Sequence, residues 1–370
     1  MELYVHLPFC KQKCRYCDFP SWAGCEAIMP RYVDALLAEA DRYGHASIET
    51  IYIGGGTPSL LPAPLMRKLL TGLHSRFDIQ EEIEWSCEAN PGTLTEAWLQ
   101  AAADGGVNRL SLGMQAFQPE LLKTLGRIHT FEQVETSVKL ARGAGVKNLN
   151  LDLMFGLPGQ TPDMWHETLK RALSLAPEHL SCYGLIPEEG TPLIDDLDAG
   201  RLTLPDEDDE RRMYDDTLTL LSAHGFKQYE ISNFALPGYE CRHNIGYWQQ
   251  IPYIGLGVSA ASCLPADGCA YERLANPASL EDYLNGAPPT RERVSSAGAR
   301  FETLMLGLRM TEGISEDRFQ SMHGVALNDC YGDRLRDLAQ HGLISWQGGW
   351  CRLTRRGMDV QNAILVELMD

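Results

Sequence analysis

The chain has 370 residues with 50 acidic against 32 basic side chains, a formal net charge of −18, which argues against a general nucleic-acid or anionic-membrane surface and for small molecules or proteins as partners. No apolar run approaches the ~18 residues of a membrane span and no basic-then-apolar leader opens the chain, so a soluble cytoplasmic protein of about two to three domains is expected. Eleven cysteines, an odd number, speak against a disulfide framework and for reduced thiols with a metal or redox use.

In chain order, Glu2 to Leu7 alternates apolar with polar positions and reads as a strand that Pro8 ends. The loop that follows carries Cys10, Cys14 and Cys17 within eight residues. Pro30 to Tyr43 has apolar residues at helical spacing (Val33, Leu36, Leu37, Ala40), and Glu49 to Ile53 returns to a β-rich run ending in Gly54-Gly55-Gly56-Thr57-Pro58. Further strands are expected at Ile83 to Cys87, Arg109 to Leu112, Asn148 to Leu151 and His179 to Tyr183, with helical segments between them. Six β–α units in a row imply parallel strands with right-handed crossovers, in an open doubly wound sheet or, as preferred here, a partial (β/α)6 TIM-like barrel. Polar and glycine-rich residues cluster after the strands, so a barrel gathers them into one rim facing the cysteine loop.

Past Pro192 the rhythm changes to a long helix (Asp206 to His224), a strand around Gln228 to Ile231, the segment Cys241 to Trp248, and a glycine-rich strand from Tyr253. This part is expected to extend the sheet and close one side of the barrel mouth. From about Arg291 the pattern is three helices, a hairpin over Leu343 to Thr354 turning at Gly348-Gly349, and a closing helix: a winged-helix-like tail. The expected division is therefore 1–190 for the barrel core, 191–290 for the sheet extension and 291–370 for the tail. The acidic whole favours an interaction or lid module over DNA binding for that tail.

Three thiolates on a strand-end loop can surround a zinc ion or an iron–sulfur cluster. Structural zinc needs a fourth ligand, for which only His6 and Cys25 are near, whereas a cubane on three cysteines keeps one iron open. Cys87, Cys182, Cys263, Cys269, Cys330 and Cys351 are scattered and read as buried or neutral thiols. Gly54 to Thr57 has the composition of a loop that lets backbone touch a ligand, though no Lys-Ser/Thr follows to make it a phosphate loop. Glu88 suits ribose hydroxyls, and Gln115 and Asp152 offer polar groups at neighbouring strand ends.

The Cys10-x-x-x-Cys14-x-x-Cys17 spacing with Gly54 to Pro58 resembles the radical S-adenosylmethionine (SAM) superfamily. Within it the chain is similar along its length to the oxygen-independent coproporphyrinogen III oxidase-like family, on Tyr4 to Cys10, Glu88 to Pro91, Arg109 to Gln115, Asp152 to Pro158 and His243 to Trp248. That resemblance implies a [4Fe–4S] cluster on Cys10, Cys14 and Cys17, whose open iron chelates S-adenosylmethionine and whose electron cleaves it to a 5′-deoxyadenosyl radical. It implies that Tyr4, Tyr16, Gly55, Gly56, Thr57 and Glu88 line the S-adenosylmethionine. Gln115, Arg127 and Asp152 match residues around a second such molecule in the oxidases. An electron donor such as flavodoxin or ferredoxin comes with that chemistry.

Two departures point to a subgroup. The oxidases carry a further cysteine two residues after the third, where this chain has Phe19, and a sizeable segment before the loop, where nine residues precede Cys10. Both departures resemble the HemW-type haem chaperones, as does His243-Asn244-x-x-Tyr247-Trp248. The resemblance implies haem as cargo, contacts to it from His243, Asn244, Tyr247 and Trp248, and acceptor haemoproteins as partners. Kept beside this are a tetrapyrrole enzyme (decarboxylation, methyl transfer or ring opening) and a winged-helix redox sensor of DNA; the last needs a basic recognition helix that His323 to Leu335 does not provide.

Overall fold

The computed structural model describes residues 1–369. Six strands, β1 (Glu2–Leu7), β2 (Ser47–Gly55), β3 (Asp78–Ala89), β4 (Arg109–Gln115), β5 (Asn148–Phe155) and β6 (His179–Gly184), lie side by side in chain order, each parallel to the next. Helices cross between them, among them Met29–Ala40, Ala63–His74, Glu96–Asp104, Phe131–Gly143 and Pro162–Ser174. Thr95, Thr130 and Thr161 each accept a backbone N–H at the start of one of these helices, so the turns that begin them are written locally.

The strands alternate in a way that sets the chemistry of the barrel. One face of the strands is apolar and fully buried against the helices (Leu3, Val5, Ile51, Ile53, Leu110, Leu151). The other, at period two, is polar: Glu2 registers with Thr50, Thr50 with Glu84, Ser86 with Arg109, and Asn150 with His179. A polar interior needs its hydrogen bonds satisfied within the barrel, and many are. Asn150 donates to Ser111 Oγ (2.7 Å) and Asp152 (2.8 Å), while His179 bonds Asn150 Oδ1 (2.6 Å) and the Tyr229 hydroxyl (2.8 Å).

The sheet is extended, as expected, and it grows at both edges. Beyond β6 come β7 (Lys227–Gln228) and β8 (Asn233–Ala235), with β8 antiparallel to β6. Of the strand expected over Gln228 to Ile231, only Gln228 lies in one, since Glu230 turns inward, its backbone making an isolated bridge to Met310 and its carboxylate accepting from Ser232 N (2.9 Å). On the other edge β9 (Tyr253–Leu256) pairs parallel with β1, and β10 (Ala261–Leu264), β11 (Tyr271–Ala275) and β12 (Thr290–Val294) follow antiparallel, for twelve strands in all.

From Ser296 the chain has its own apolar core, with Leu304, Phe319, Leu335 and Leu353 at its centre. Helices Ser296–Gly307, Glu316–His323 and Leu327–Gln340 pack with β13 (Ile314–Ser315), β14 (Ile344–Gln347) and β15 (Trp350–Leu353), in sheet order β13-β15-β14. That is the winged-helix-like arrangement. No helix among the described residues is long and apolar enough to cross a membrane.

Candidate functional site

The cysteine loop leaves the end of β1 and is fixed at both ends. Phe9–Cys10 pairs with Trp22–Ala23, Trp22 N donates to Pro8 O (2.7 Å), and Gly56 N donates to Leu7 O (2.8 Å). A Cβ on Gly56 would stand 2.7 Å from Phe9 O and 3.0 Å from Cys10 Sγ, so only glycine lets the end of β2 lie against the loop. The three thiols are half-buried, and burial raises the proton affinity of Cys10 and of Cys17, the latter to about 11. Metal binding at thiols whose protons are held this tightly would release them.

These residues fit a cluster better than a zinc ion. His6 has no free nitrogen: Nε2 donates to Pro20 O (2.8 Å) and Nδ1 accepts from the Tyr4 hydroxyl (2.9 Å). Cys25 turns its thiol to Ala23 O (3.7 Å). Among the described residues no three His, Cys, Asp or Glu side chains converge as ligands of one ion. Thiolates that bind separate irons of a cubane need not converge.

A chain of hydrogen bonds links two of the cysteines across the rim. Arg127 donates to Cys14 Sγ (3.5 Å), to Asn90 Oδ1 (2.8 Å) and to Gly113 O (2.8 Å); Asn90 donates to Thr57 Oγ1 (2.8 Å), and Thr57 faces Cys10 Sγ (3.9 Å). The guanidinium supplies positive charge where thiolates would form. Asn90 is a residue the sequence reading did not single out, although it sits inside the Glu88 to Pro91 segment. A shallow cavity beside this chain is lined by Cys14, Thr57, Asn90, Arg127 and His129.

Glu88 lies beside it at the end of β3. It accepts from the Tyr52 hydroxyl (3.0 Å) and from Gly55 N (3.1 Å), and burial, then the negative Asp152, pushes its carboxyl up to about 7. Gly55 has φ +113°, and a Cβ there would meet the His6 ring at 2.7 Å. Tyr4 stacks on Tyr52 at 6.4 Å, and Tyr16 is half-buried, its phenol held well above the ordinary range by burial. Gln115 closes β4 at φ +63°, a strained conformation for a non-glycine residue. Gly113 makes the room: a Cβ there would lie 2.9 Å from Gln115 Nε2 and 3.0 Å from Arg127 Nη2. Asp152, registered with Gly113, accepts from Ser111 (2.8 Å), and burial raises its carboxyl. The expected S-adenosylmethionine residues are thus gathered at one rim.

The Cys241 to Trp248 segment is elsewhere. It forms a short helix (Arg242–Trp248) packed against the strands near Thr50 and Glu84, away from the glycine end of β2. Glu84 accepts from Arg242 N (2.9 Å) and His243 N (3.1 Å), and Cys241 Sγ reaches its Oε1 at 3.5 Å. His243 is 1% exposed, with Nδ1 on Thr50 (2.8 Å) and Nε2 on the Tyr247 hydroxyl (3.1 Å); burial drives its proton affinity down to about 3. In this conformation the ring is an internal hydrogen-bonding group. Cys241 is fully buried. Asn244, Tyr247 and Trp248 are half-buried, with the Arg309 guanidinium 4.5 Å over the Trp248 ring. Glu84, Thr50 and Glu2, which hold this helix, went unremarked in the sequence; the signal was there, as polar residues at every second position of β1 to β3.

The radical SAM superfamily model matches residues 4–172 and the HemN C-terminal domain model residues 294–360. The chain is 37% identical over 373 residues to "Heme chaperone HemW" of Bacillus subtilis (strain 168), covering 98% of this chain and 97% of that one. It is 35% identical to the protein of the same name in Lactococcus lactis subsp. lactis (strain IL1403), covering 99% and 96%, and 35% identical to that of Escherichia coli (strain K12), covering 99% and 97%. Among solved structures, the coproporphyrinogen III oxidase (HemN) of Escherichia coli superposes with a TM-score of 0.84 at 22% identity, over 99% of this chain and 89% of that one, a likeness of fold.

Proposed function

The chain belongs to the HemW family within the radical SAM superfamily, and on that footing we propose that it is a cytoplasmic haem-trafficking protein that takes up haem and passes it to acceptor haemoproteins. The superfamily implies a [4Fe–4S] cluster and S-adenosylmethionine; bound, they supply one-electron chemistry at the rim. Cys10, Cys14 and Cys17 would hold the cluster and Tyr4, Tyr16, Gly55, Gly56, Thr57 and Glu88 the nucleoside, with Gln115, Arg127 and Asp152 beside them. A flavodoxin- or ferredoxin-like protein would deliver the electron. The observation that carries the reading is identity of 31–38% to haem chaperones, in most cases over nearly the whole chain.

Haem contact falls to the His243-Asn244-x-x-Tyr247-Trp248 helix. Because both nitrogens of His243 are engaged, iron reaches that ring only when the helix turns out of its seat. The oxidase reading has less support: Phe19, where the resemblance places a further cysteine in the oxidases, is 61% exposed beside the cluster loop and offers no ligand or acid–base group.

The test is direct. After anaerobic cluster reconstitution, the chain should bind haem stably and transfer it to an apo-haemoprotein, more weakly in a His243→Ala variant. Loss of two carboxyl groups from coproporphyrinogen in the presence of S-adenosylmethionine and a reductant would overturn the chaperone reading. Uptake unchanged in His243→Ala would remove that ring from the haem contacts.

A further inference from the structure

The haem reading leaves a steric question: a cargo that arrives from outside needs an open place to land, and His243 is closed. Directly after the Arg242–Trp248 helix, Gln250, Ile251 and Pro252 run along a cleft of about 560 Å³ between the β9 to β12 extension and the winged-helix-like tail. That size lies within the ~300–1,000 Å³ of small-molecule and cofactor sites. Cys263 of β10 and Cys269 line it from the sheet side, and Arg318, Met322 and His323 of the Glu316–His323 helix from the other. Soft sulfur donors and an imidazole on facing walls suit an iron in a macrocycle.

Two of these groups lack the partner that their chemistry calls for. His323 Nε2 lies 2.8 Å from Thr303 Oγ1, whose single proton is directed at carbonyl oxygens, those of Ala299 (3.0 Å) and Gln250. The Thr303 oxygen is therefore the acceptor, Nε2 carries the imidazole proton, and Nδ1 keeps a free lone pair. Burial lowers the proton affinity of this ring, which keeps it neutral. Arg318 donates to Gln249 O, yet no carboxylate among the described residues pairs with it, in a chain with 50 acidic side chains. Arg318 also lines a smaller neighbouring pocket together with Trp248, which puts the cleft beside the end of the Arg242–Trp248 helix.

We propose that this cleft is the docking site for haem, with His323 Nδ1 as an axial ligand to the iron, Arg318 pairing with a propionate and the Cys263 side opposite. The inference rests on the haem reading and adds a place to it. Haem would land in the cleft, next to the helix that carries His243, before that helix moves.

Ferric haemin titrated into the full chain tests the site. His323→Ala should weaken uptake by about tenfold or more and change the Soret band, with added imidazole restoring the wild-type spectrum. Arg318→Met should weaken uptake of haemin but not of haemin dimethyl ester, which has no propionate charge. Unchanged cluster absorbance and far-UV circular dichroism in both variants show that each has folded. If both variants bind haemin like the wild type, the cleft is not the site, and loss of uptake in His243→Ala alone would assign docking to the Arg242–Trp248 helix instead. A wild-type chain that takes up no haemin overturns the haem reading itself, and this assignment with it.

Discussion

Two single residues carry more than their size at the ends of the barrel. Gly56 is the tighter: a methyl there would press on the backbone of Phe9 and on Cys10 Sγ at 2.7–3.0 Å, and backbone cannot yield as a flexible side chain can. Gly56→Ala should lower the iron bound per chain and the charge-transfer absorbance after anaerobic reconstitution; wild-type loading would show that the loop has slack. Gly143→Ala is the contrasting control, since nothing stands within 4 Å of its Cβ and it lies in a helix, where alanine is better by about 0.5–1 kcal/mol. Glu2 makes a pH prediction. It is 3% exposed, its Oε2 has no partner, and burial pushes its carboxyl up to about 8. A carboxyl whose folded pKa is raised binds its proton more tightly in the native state, so its contribution is fully present below the ordinary value of 4.5 and is lost as pH rises through about 8. The urea midpoint should fall over that window, and Glu2→Gln should flatten the fall. An identical pH profile in the variant would mean that Glu2 ionises freely. Both residues show what the sequence could and could not give. The glycine run after β2 announced a close approach and its place on the rim facing the cysteine loop, but not the residues it meets, because only the β1–β2 register places Gly54 and Gly55 against His6 and Leu7.

The Arg242–Trp248 helix is the element on which function turns. At seven residues it is too short to hold itself together, so it depends on what grips it. Its first turn donates to the Glu84 carboxylate, His243 is bonded to Thr50, and Gly246 lets the helix sit on the Glu2 carboxylate, which a Cβ, 1.7 Å from Oε1, would displace. Glu84→Ala removes the acceptor for two backbone N–H groups and should cost about 1–3 kcal/mol, with faster hydrogen exchange of the amides over residues 242–248. Exchange as slow as in the wild type would mean that other contacts suffice. Composition and spacing marked this segment out, and yet the side to which His243 points was hidden. A seven-residue segment has too few turns for periodicity to fix its buried face, and Glu84, which orients it, lies on a strand about 160 residues earlier in the chain. Strand ends fared similarly. β1 matches its expected bounds because Pro8 ends it locally, whereas β3 runs from Asp78 to Ala89, well beyond Ile83 to Cys87, since Gln80, Glu81 and Glu82 give no apolar alternation where the strand is exposed.

At the scale of the whole molecule the two regions are joined through the barrel by one side chain. Tyr52 donates from its hydroxyl to Glu88 at the rim, and its ring stacks on His243 at 5.4 Å with 28° between planes. Tyr247 meets the far side of His243 edge-on at 4.8 Å, so the Glu88 end and the helix seat share a continuous packed path. A nucleoside that takes over the Glu88 carboxylate competes with the Tyr52 hydroxyl and frees that ring to move, which weakens the seat of His243. S-adenosylmethionine should therefore strengthen haem uptake, and haem should strengthen S-adenosylmethionine binding by the same factor, since linkage between two binding sites is reciprocal; about fivefold or more is the usual scale. Tyr52→Phe keeps the ring and its stacking but loses the hydroxyl, so it should bind each ligand alone and lose the coupling. The measurement is a pair of titrations, haem with and without saturating S-adenosylmethionine, in both chains. Equal haem affinities in the wild type under the two conditions would show that the rim and the helix act independently, and coupling that persists in Tyr52→Phe would move the connection to another path through the polar interior.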